Sequence, residues 1–443
     1  MNSKKKAISY KVSSINGITN ISGDKFISCI ALILASQAIG ITRIYGISLC
    51  QDVMCVSKAL SLLGVEILYE KGDCIVKGVG IGGLMCPKNA LYMGNSFTIT
   101  CMLLGLLSTY PFLSFFYGSR KLCSVSMDRV TEPLLSMGSN YISVNGKLPI
   151  LLIGSEDSIP ISYSTNSVSD KVKVAVLLAG LNTSGISIIT ERILTRNHIE
   201  LLLQYLNADI SVNFIDDSNI ITLRGQKELF AKDIYVPSDA FLAAFIVAAA
   251  LMVENSEVII HNVMINSDRM GFYRILINMG ANITLTNKRK SIIGECIADI
   301  FIKTSVLHGG IILEKDLPSI VEEYPIISII AAYIDGTTVM QGMSLLDTEE
   351  RNRLNIIICE LNKCGVNTEM TDSELIIYGS GGNICGGNVV NVHSDDKIAM
   401  SFLILGMVSK QPIIINDVEC ISSSYTDFIS IVNQLGGKIK KLI

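Results

Sequence analysis

The chain has 443 residues, enough for two domains of ordinary size, and its 36 basic side chains are outnumbered by 40 acidic ones for a net charge of −4. That balance excludes a basic nucleic-acid footprint and points to small-molecule partners. Mean hydropathy is +0.47, yet the longest unbroken apolar run, 240–253, falls short of the roughly 20 residues a membrane-spanning helix needs, and Asp239 and Glu254 bracket it.

Residues 1–20 read as a strand that belongs with the end of the chain. A helix apolar nearly all round follows at 31–38, then a strand at 41–47. Next comes an amphipathic helix at 52–63, with Val53, Val56, Ala59 and Leu63 on one stripe, closing on Gly64 ahead of one further strand. The same order returns five times. The apolar helices fall at 99–108, 172–181, 240–253, 326–333 and 399–408. Their strands fall at 112–117, 186–193, 257–263, 337–343 and 412–417, and the closing residues are Gly138, Asn207, Gly280, Gly365 and Gly436. A spacing of roughly 70 to 85 residues is too long for a solenoid and predicts one folding unit copied six times.

A helix without a polar face must be covered on every side, so this pattern predicts an α/β fold turned inside out, with helices within and sheets outside. Six units divide into two lobes of three, predicted at 21–233 and at 1–20 plus 234–443. A cleft where the chain crosses between lobes would suit closure on a ligand. Lys4 to Lys6 do not begin a signal peptide, because the next apolar stretch, 26–41, starts too far on. The expectation is a cytoplasmic protein with no membrane segment, acting as a monomer. Twelve cysteines occur singly with no Cys-x-x-Cys, and the four histidines lack metal-ligand spacing. Buried thiols are expected, with no metal and no cofactor.

Three helix starts in the first lobe carry polar or cationic groups: Gly23-Asp24-Lys25, Gly94-Asn95-Ser96-Phe97-Thr98 and Ser167-Val168-Ser169-Asp170-Lys171. Backbone N–H groups, helix dipoles and ammonium groups together attract anions. In the second lobe, Glu322-Glu323-Tyr324-Pro325 and the run from Asp347 to Arg353 place carboxylates at helix starts, where neighbouring Lys and Arg can tune them as acid and base. Each piece alone is equally what an ordinary capped or solvated helix start looks like.

As an ordered set the pieces say more. Gly23-Asp24-Lys25, Gln51-Asp52, Gly94-Asn95-Ser96, Met127-x-Arg129-Val130-x-x-Pro133-Leu134 and the stretch from Val172 to Leu181 stand in sequence. Arg196-x-His198-x-Glu200, Glu323-Tyr324-Pro325, Gly336-Thr337-Thr338, Glu350-x-x-Arg353-Leu354 and Ile398-Ala399-Met400 follow. Over essentially its whole length the chain resembles the 5-enolpyruvylshikimate-3-phosphate synthases. The resemblance implies a two-lobed, inside-out α/β fold. It also implies the small anionic substrates shikimate 3-phosphate and phosphoenolpyruvate, whose enolpyruvyl group passes to the 5-hydroxyl with loss of phosphate. By position it makes Lys25 the lysine that touches both ligands, Glu322 the acceptor of the hydroxyl proton and Glu350 the proton shuttle. Arg353 would hold phosphoenolpyruvate and Ser169 a phosphate, Lys397 stands at a family arginine position and keeps its charge, and Asn95, Thr98, Lys171 and Lys397 would line the substrate site.

The chain departs from the family pattern where arginines are expected, at Ile30, Cys101 and Val125. It departs again at Phe26, at Phe97 in place of a glycine, at Asp170 and Lys171 in place of serine and glutamine, and at Glu349 in place of lysine. Arg120, Lys121, Arg129 and Lys171 are the cations available to compensate. Two other readings stay open from the residues alone: a decayed homologue serving as a binding or scaffold protein, and the enolpyruvyl transferase that acts on a UDP-sugar.

Overall fold

The helices that lack a polar face are the ones the structure buries. In the computed structural model, which describes residues 5–70, 72–165, 170–346 and 348–442, the chain forms two units. One is Gly23–Val236 with Lys290–Glu295; the other is Met1–Ser22, Pro237–Arg289 and Cys296–Ile443. The short segment Lys290–Glu295 is a hairpin tip that the boundaries drawn from sequence did not set apart.

The first unit contains α1 (Lys25–Gln37), α2 (Gln51–Leu62), α3 (Phe97–Leu107), α4 (Asp128–Ser136), α5 (Lys171–Leu181) and α6 (His198–Tyr205). Of these, α1 is buried at every residue except Lys25, α3 at every residue except Phe97 and Thr98, and α5 at every residue except Lys171. The only positions these three helices leave uncovered are thus their first ones. α3 and α5 pack so closely that a Cβ on Gly105 would stand 2.3 Å from the carbonyl oxygen of Ala175, which is why a glycine sits in mid-helix there. The second unit repeats the plan with α7 (Ala240–Met252), α8 (Gly271–Asn278), α9 (Tyr324–Tyr333), α10 (Thr348–Lys363), α11 (Asp396–Gly406) and α12 (Phe428–Gln434). There α7, α9 and α11 contact one another at the centre.

Each repeat is richer than the sequence pattern predicted. After the second helix of the first five repeats the chain makes two strands, an antiparallel hairpin, where one was expected, and in the sixth the single strand Ile439–Leu442 pairs with Lys6–Ser9. Asn140–Val144 and Lys147–Ile153, for example, are joined through Asn145 and Gly146, both with positive φ (54° and 65°). Asn-Gly is the preferred pair for this tight turn. A short parallel strand also precedes most of the buried helices, so that each sheet has at least four strands, as in the order 91–92, 113–117, 147–153, 140–144.

The first helix begins at Lys25, the helix start that Gly23-Asp24-Lys25 marks and well ahead of the apolar run at 31, and Ala38 opens the following strand instead of closing the helix. The start at Lys25 follows from the Asp24 carboxylate, which accepts from the Ile27 N–H at 2.8 Å and fixes the helix a turn and a half earlier than the apolar run does. The N-terminal segment supplies two strands, not one. Lys6–Ser9 lies between Ile413–Ile415 and Ile439–Leu442 in the last repeat, and Asn16–Thr19 pairs in parallel with Glu257–Ile260 in the fourth.

Candidate active site

In the first unit the uncovered helix starts carry the residues singled out from sequence. Lys25 opens α1 and its ammonium lies 3.1 Å from the Asp52 carboxylate at the start of α2. A Cβ on Gly23 would stand 2.2 Å from the Gly46 carbonyl oxygen, so only glycine admits this approach to the helix. Asn95 is exposed ahead of α3 and accepts a hydrogen bond from the Ser119 hydroxyl at 2.7 Å, while Ser96 caps the helix and Thr98 is half-buried on its first turn. Lys171 opens α5, its ammonium 3.7 Å from the buried Asp170 carboxylate. Burial alone would raise Asp170; the positive charges of Arg196, Lys171 and Lys173 override it and hold the carboxyl below the usual range. Ser169 lies outside the described residues.

Beneath α5 is a buried ionic network that the sequence reading missed. Lys173 Nζ lies 2.8 Å from Glu200 Oε1 and 3.2 Å from Glu191 Oε1, and donates to the Arg196 carbonyl at 2.8 Å. Thr195 donates to Glu191 at 2.5 Å. Nearby, His198 Nδ1 meets Glu295 Oε1 at 2.7 Å, and the His198 ring packs on Phe26 with centroids 5.8 Å apart. Its signal in the sequence was a lysine standing inside an otherwise apolar helix.

In the second unit Arg353, on the first turns of α10, is clasped by carboxylates. Its Nε lies 2.7 Å from Asp395 Oδ2, its Nη1 contacts Glu350, and its Nη2 lies 3.5 Å from Glu349. Asp395 also caps α11, accepting from the backbone N–H groups of Lys397 and Ile398 at 3.0 and 3.1 Å. Burial works against its charge, but the Arg353 guanidinium holds the Asp395 carboxyl below the usual range. The Lys397 ammonium stands 5.2 Å from the Phe241 ring centroid. Arg353 thus links Glu350 to Asp395, whose negative charge Lys397 also favours, and the sequence reading passed over Asp395 although Asp before an apolar helix is a cap pattern. Glu322, just ahead of α9, lies with Arg269 instead, at 3.4 Å. No motif announces Arg269, which comes from a 3₁₀ turn 53 residues earlier.

Lys25 and Lys171, at the uncovered starts of buried helices in the first unit, suit anionic ligands, and known proteins agree. The model of the family described as EPSP synthase (3-phosphoshikimate 1-carboxyvinyltransferase) matches residues 9–432. The chain belongs to the EPSP synthase family. It is 39% identical to the 3-phosphoshikimate 1-carboxyvinyltransferase of Cereibacter sphaeroides over 96% of each chain, and 38% identical to that of Paramagnetospirillum magneticum over 97% of each. The solved EPSP synthase from Acinetobacter baumannii superposes with a TM-score of 0.89 at 32% identity, covering 99% of this chain and all of that one. The family's two-lobed, inside-out α/β fold is therefore the fold of this chain.

Against that family pattern, the departures are now placed. Ile30 and Cys101 are fully buried within α1 and α3. Burial pushes the Cys101 thiol up to about 12, with Lys171 partly offsetting it, so at neutral pH this position offers no charge. Val125 and Phe97 are half-buried, and Arg120, Lys121 and Arg129 are exposed. Among the described residues, no helix is long and apolar enough to cross a membrane.

Proposed function

We propose that this chain carries out the reaction of its family, in the cytoplasm, with Lys25, Asn95, Thr98, Ser169, Lys171, Arg353 and Lys397 as ligand-holding residues and Glu322 and Glu350 as acid and base. The 5-hydroxyl of shikimate 3-phosphate attacks C2 of phosphoenolpyruvate, giving its proton to Glu322 while C3 gains one. The tetrahedral intermediate then expels phosphate as C3 gives a proton back, with Glu350 as the shuttle, and the enol ether remains on the sugar-like ring. Both substrates are multiply anionic, so fixed cations must offset their mutual repulsion. Lys25 and Arg353 are each already beside a carboxylate, Asp52 and Asp395, which holds the side chain in one orientation before a ligand arrives.

The observation that carries this reading is the family match from residue 9 to 432. The roles of Lys25, Glu350 and Arg353 rest on the motifs that carry the resemblance in the sequence, and Lys25 and Lys171 open helices that are otherwise buried. The test is phosphate release from purified protein given both substrates, together with the thermal shift produced by shikimate 3-phosphate alone. A ligand at about 100 times its dissociation constant stabilises by roughly 2.7 kcal/mol. The expected result is turnover by the parent and a loss of at least about 100-fold in Lys25→Met. A Lys25→Met variant as active as the parent would remove the assigned role, and a parent that neither turns over nor shifts would remove the reading.

A further inference from the structure

Lys397 and Phe241 are the second residues of α11 and α7, two buried helices that pack against each other in the second unit, and their side chains meet as well. The half-buried Lys397 places its ammonium 5.2 Å from the centroid of the Phe241 ring, inside the range of about 6 Å at which an aromatic face attracts a cation. Among the described residues Lys397 makes no ion pair.

The ring is firmly held. Phe241 is 6% exposed, and its backbone N–H donates to the Asp239 carboxylate at 2.8 Å in the cap of α7. One helical turn further on, Phe245 meets the Phe241 ring edge to face, with centroids 5.2 Å apart and planes at 90°. Phe245 in turn meets Phe428 of α12 at 6.2 Å and 78°. Lys397 therefore lies against a ring that other aromatic rings back from the core.

The neighbouring cation is held by a different device. Arg353 is clasped by the carboxylates of Asp395, Glu350 and Glu349, which together outweigh its single charge. They fix the guanidinium, but an incoming anion must work against them. An aromatic ring attracts a cation through its quadrupole and carries no net charge, so it can orient Lys397 while leaving the positive charge for a ligand. A lysine gains more from such a guide than an arginine does, because its point charge rides on a flexible stem. The two cations also share an anchor: Asp395, bonded to Arg353 at 2.7 Å, accepts from the Lys397 backbone N–H at 3.0 Å.

We propose that Phe241 is a positioning residue, whose ring holds the Lys397 ammonium in the orientation that receives the same anion as Arg353, phosphoenolpyruvate. The inference rests on the proposed reaction and names the device that presents one of its cations.

Steady-state kinetics of the full chain test it. A ligand that must itself immobilise a long side chain loses roughly 2- to 12-fold in affinity, so Phe241→Leu should raise KM for phosphoenolpyruvate about 3- to 12-fold. Its kcat and its KM for shikimate 3-phosphate should stay within about twofold of the parent, the pattern left by losing binding that ground state and transition state share. Lys397→Met should raise the same KM, and adding Phe241→Leu to it should change nothing more, whereas a merely structural ring would cost as much in either background. Should Phe241→Leu lose its fold, a fluorinated phenylalanine at position 241 keeps the shape of the ring while drawing electron density from its face, and it should raise the same KM. A replacement of Phe241 that leaves this KM within about twofold of the parent or lowers it, or one that acts at full size in the Lys397→Met background, would overturn the positioning role while leaving the reaction intact. A parent without turnover would instead remove the proposed reaction, and the role with it.

Discussion

Replacing Lys173 by methionine, an unbranched side chain of similar length, should destabilise the first unit severely without opening a cavity. The lysine side chain is 1% exposed, and its partners Glu191 and Glu200 are 0% and 3% exposed. Without the ammonium, two carboxylates remain in the interior with one cation gone. Breaking a buried pair in this way costs about 3 to 5 kcal/mol. For a unit of this size each kcal/mol lowers the melting temperature by about 2 to 4 °C, so the unit should melt roughly 6 to 20 °C earlier.

The pH dependence gives a second handle on the same variant. Burial already pushes Glu200 up in the parent, with Lys173 opposing the shift, and removing Lys173 lets Glu200 rise further. An acid whose folded pKa exceeds its unfolded value of about 4.3 takes up protons on folding, so the deficit should shrink as pH falls from about 8 to 5. Lys173 itself is shifted upward: burial opposes its charge, but Glu200 and Glu191 outweigh burial. Its contribution in the parent is therefore full below about pH 10 and is lost only as pH rises through the raised value. Circular-dichroism melts of parent and variant at both pH values measure this. A Lys173→Met protein that melts within about 2 °C of the parent, or whose deficit is the same at pH 5 and pH 8, would refute the reasoning. Adding Glu200→Gln should recover part of the loss.

Asp395→Asn keeps the α11 cap, since Asn caps nearly as well as Asp, but removes the charge that holds Arg353. Losing a charge-assisted hydrogen bond of about 1.5 to 3 kcal/mol should lower kcat/KM for phosphoenolpyruvate by roughly 10- to 150-fold in steady-state assays. Because the folded pKa of Asp395 is depressed, its stabilisation is present above the unfolded value of about 3.9 and is lost as pH falls through the folded one. The stability gap between parent and variant should therefore close in acid. Thiol labelling of the native protein at about pH 8 should reach the exposed Cys86, Cys296, Cys359 and Cys385 quickly. Cys101, held up to about 12, and Cys74 and Cys364, held up to about 11, should react only on unfolding, as labelling followed by peptide mass spectrometry would reveal.

The sixfold plan was readable because it rests on helices with no polar side, and few other environments accept a segment such as 240–253. Element ends were less readable. Asp24 sets the start of α1 through a single capping bond that periodicity does not contain, and the hairpin at Asn145-Gly146 was announced by its turn pair but outweighed by a coarser repeat template. Among the candidate residues, Lys25, Lys171 and Arg353 could be found because each stands at a boundary between polar and apolar sequence. Their partners could not all be found the same way. Asp395 lies 42 residues from Arg353, and Arg269 lies 53 from Glu322, so only the folded chain brings them together.

The strand Lys6–Ser9, central in the last sheet, bears on how the protein is made. It leaves the ribosome well before Ile413–Ile415 and Ile439–Leu442 and must wait for them before either of its edges is satisfied. Roughly 400 intervening residues at about 5 to 20 per second impose a delay of some 20 to 80 s. During that interval the first unit can finish folding, while this early segment remains a sticky ribbon that a holding chaperone would be expected to shield. Newborn chains starved of such help should be lost to aggregation at this point, even if the finished protein is robust.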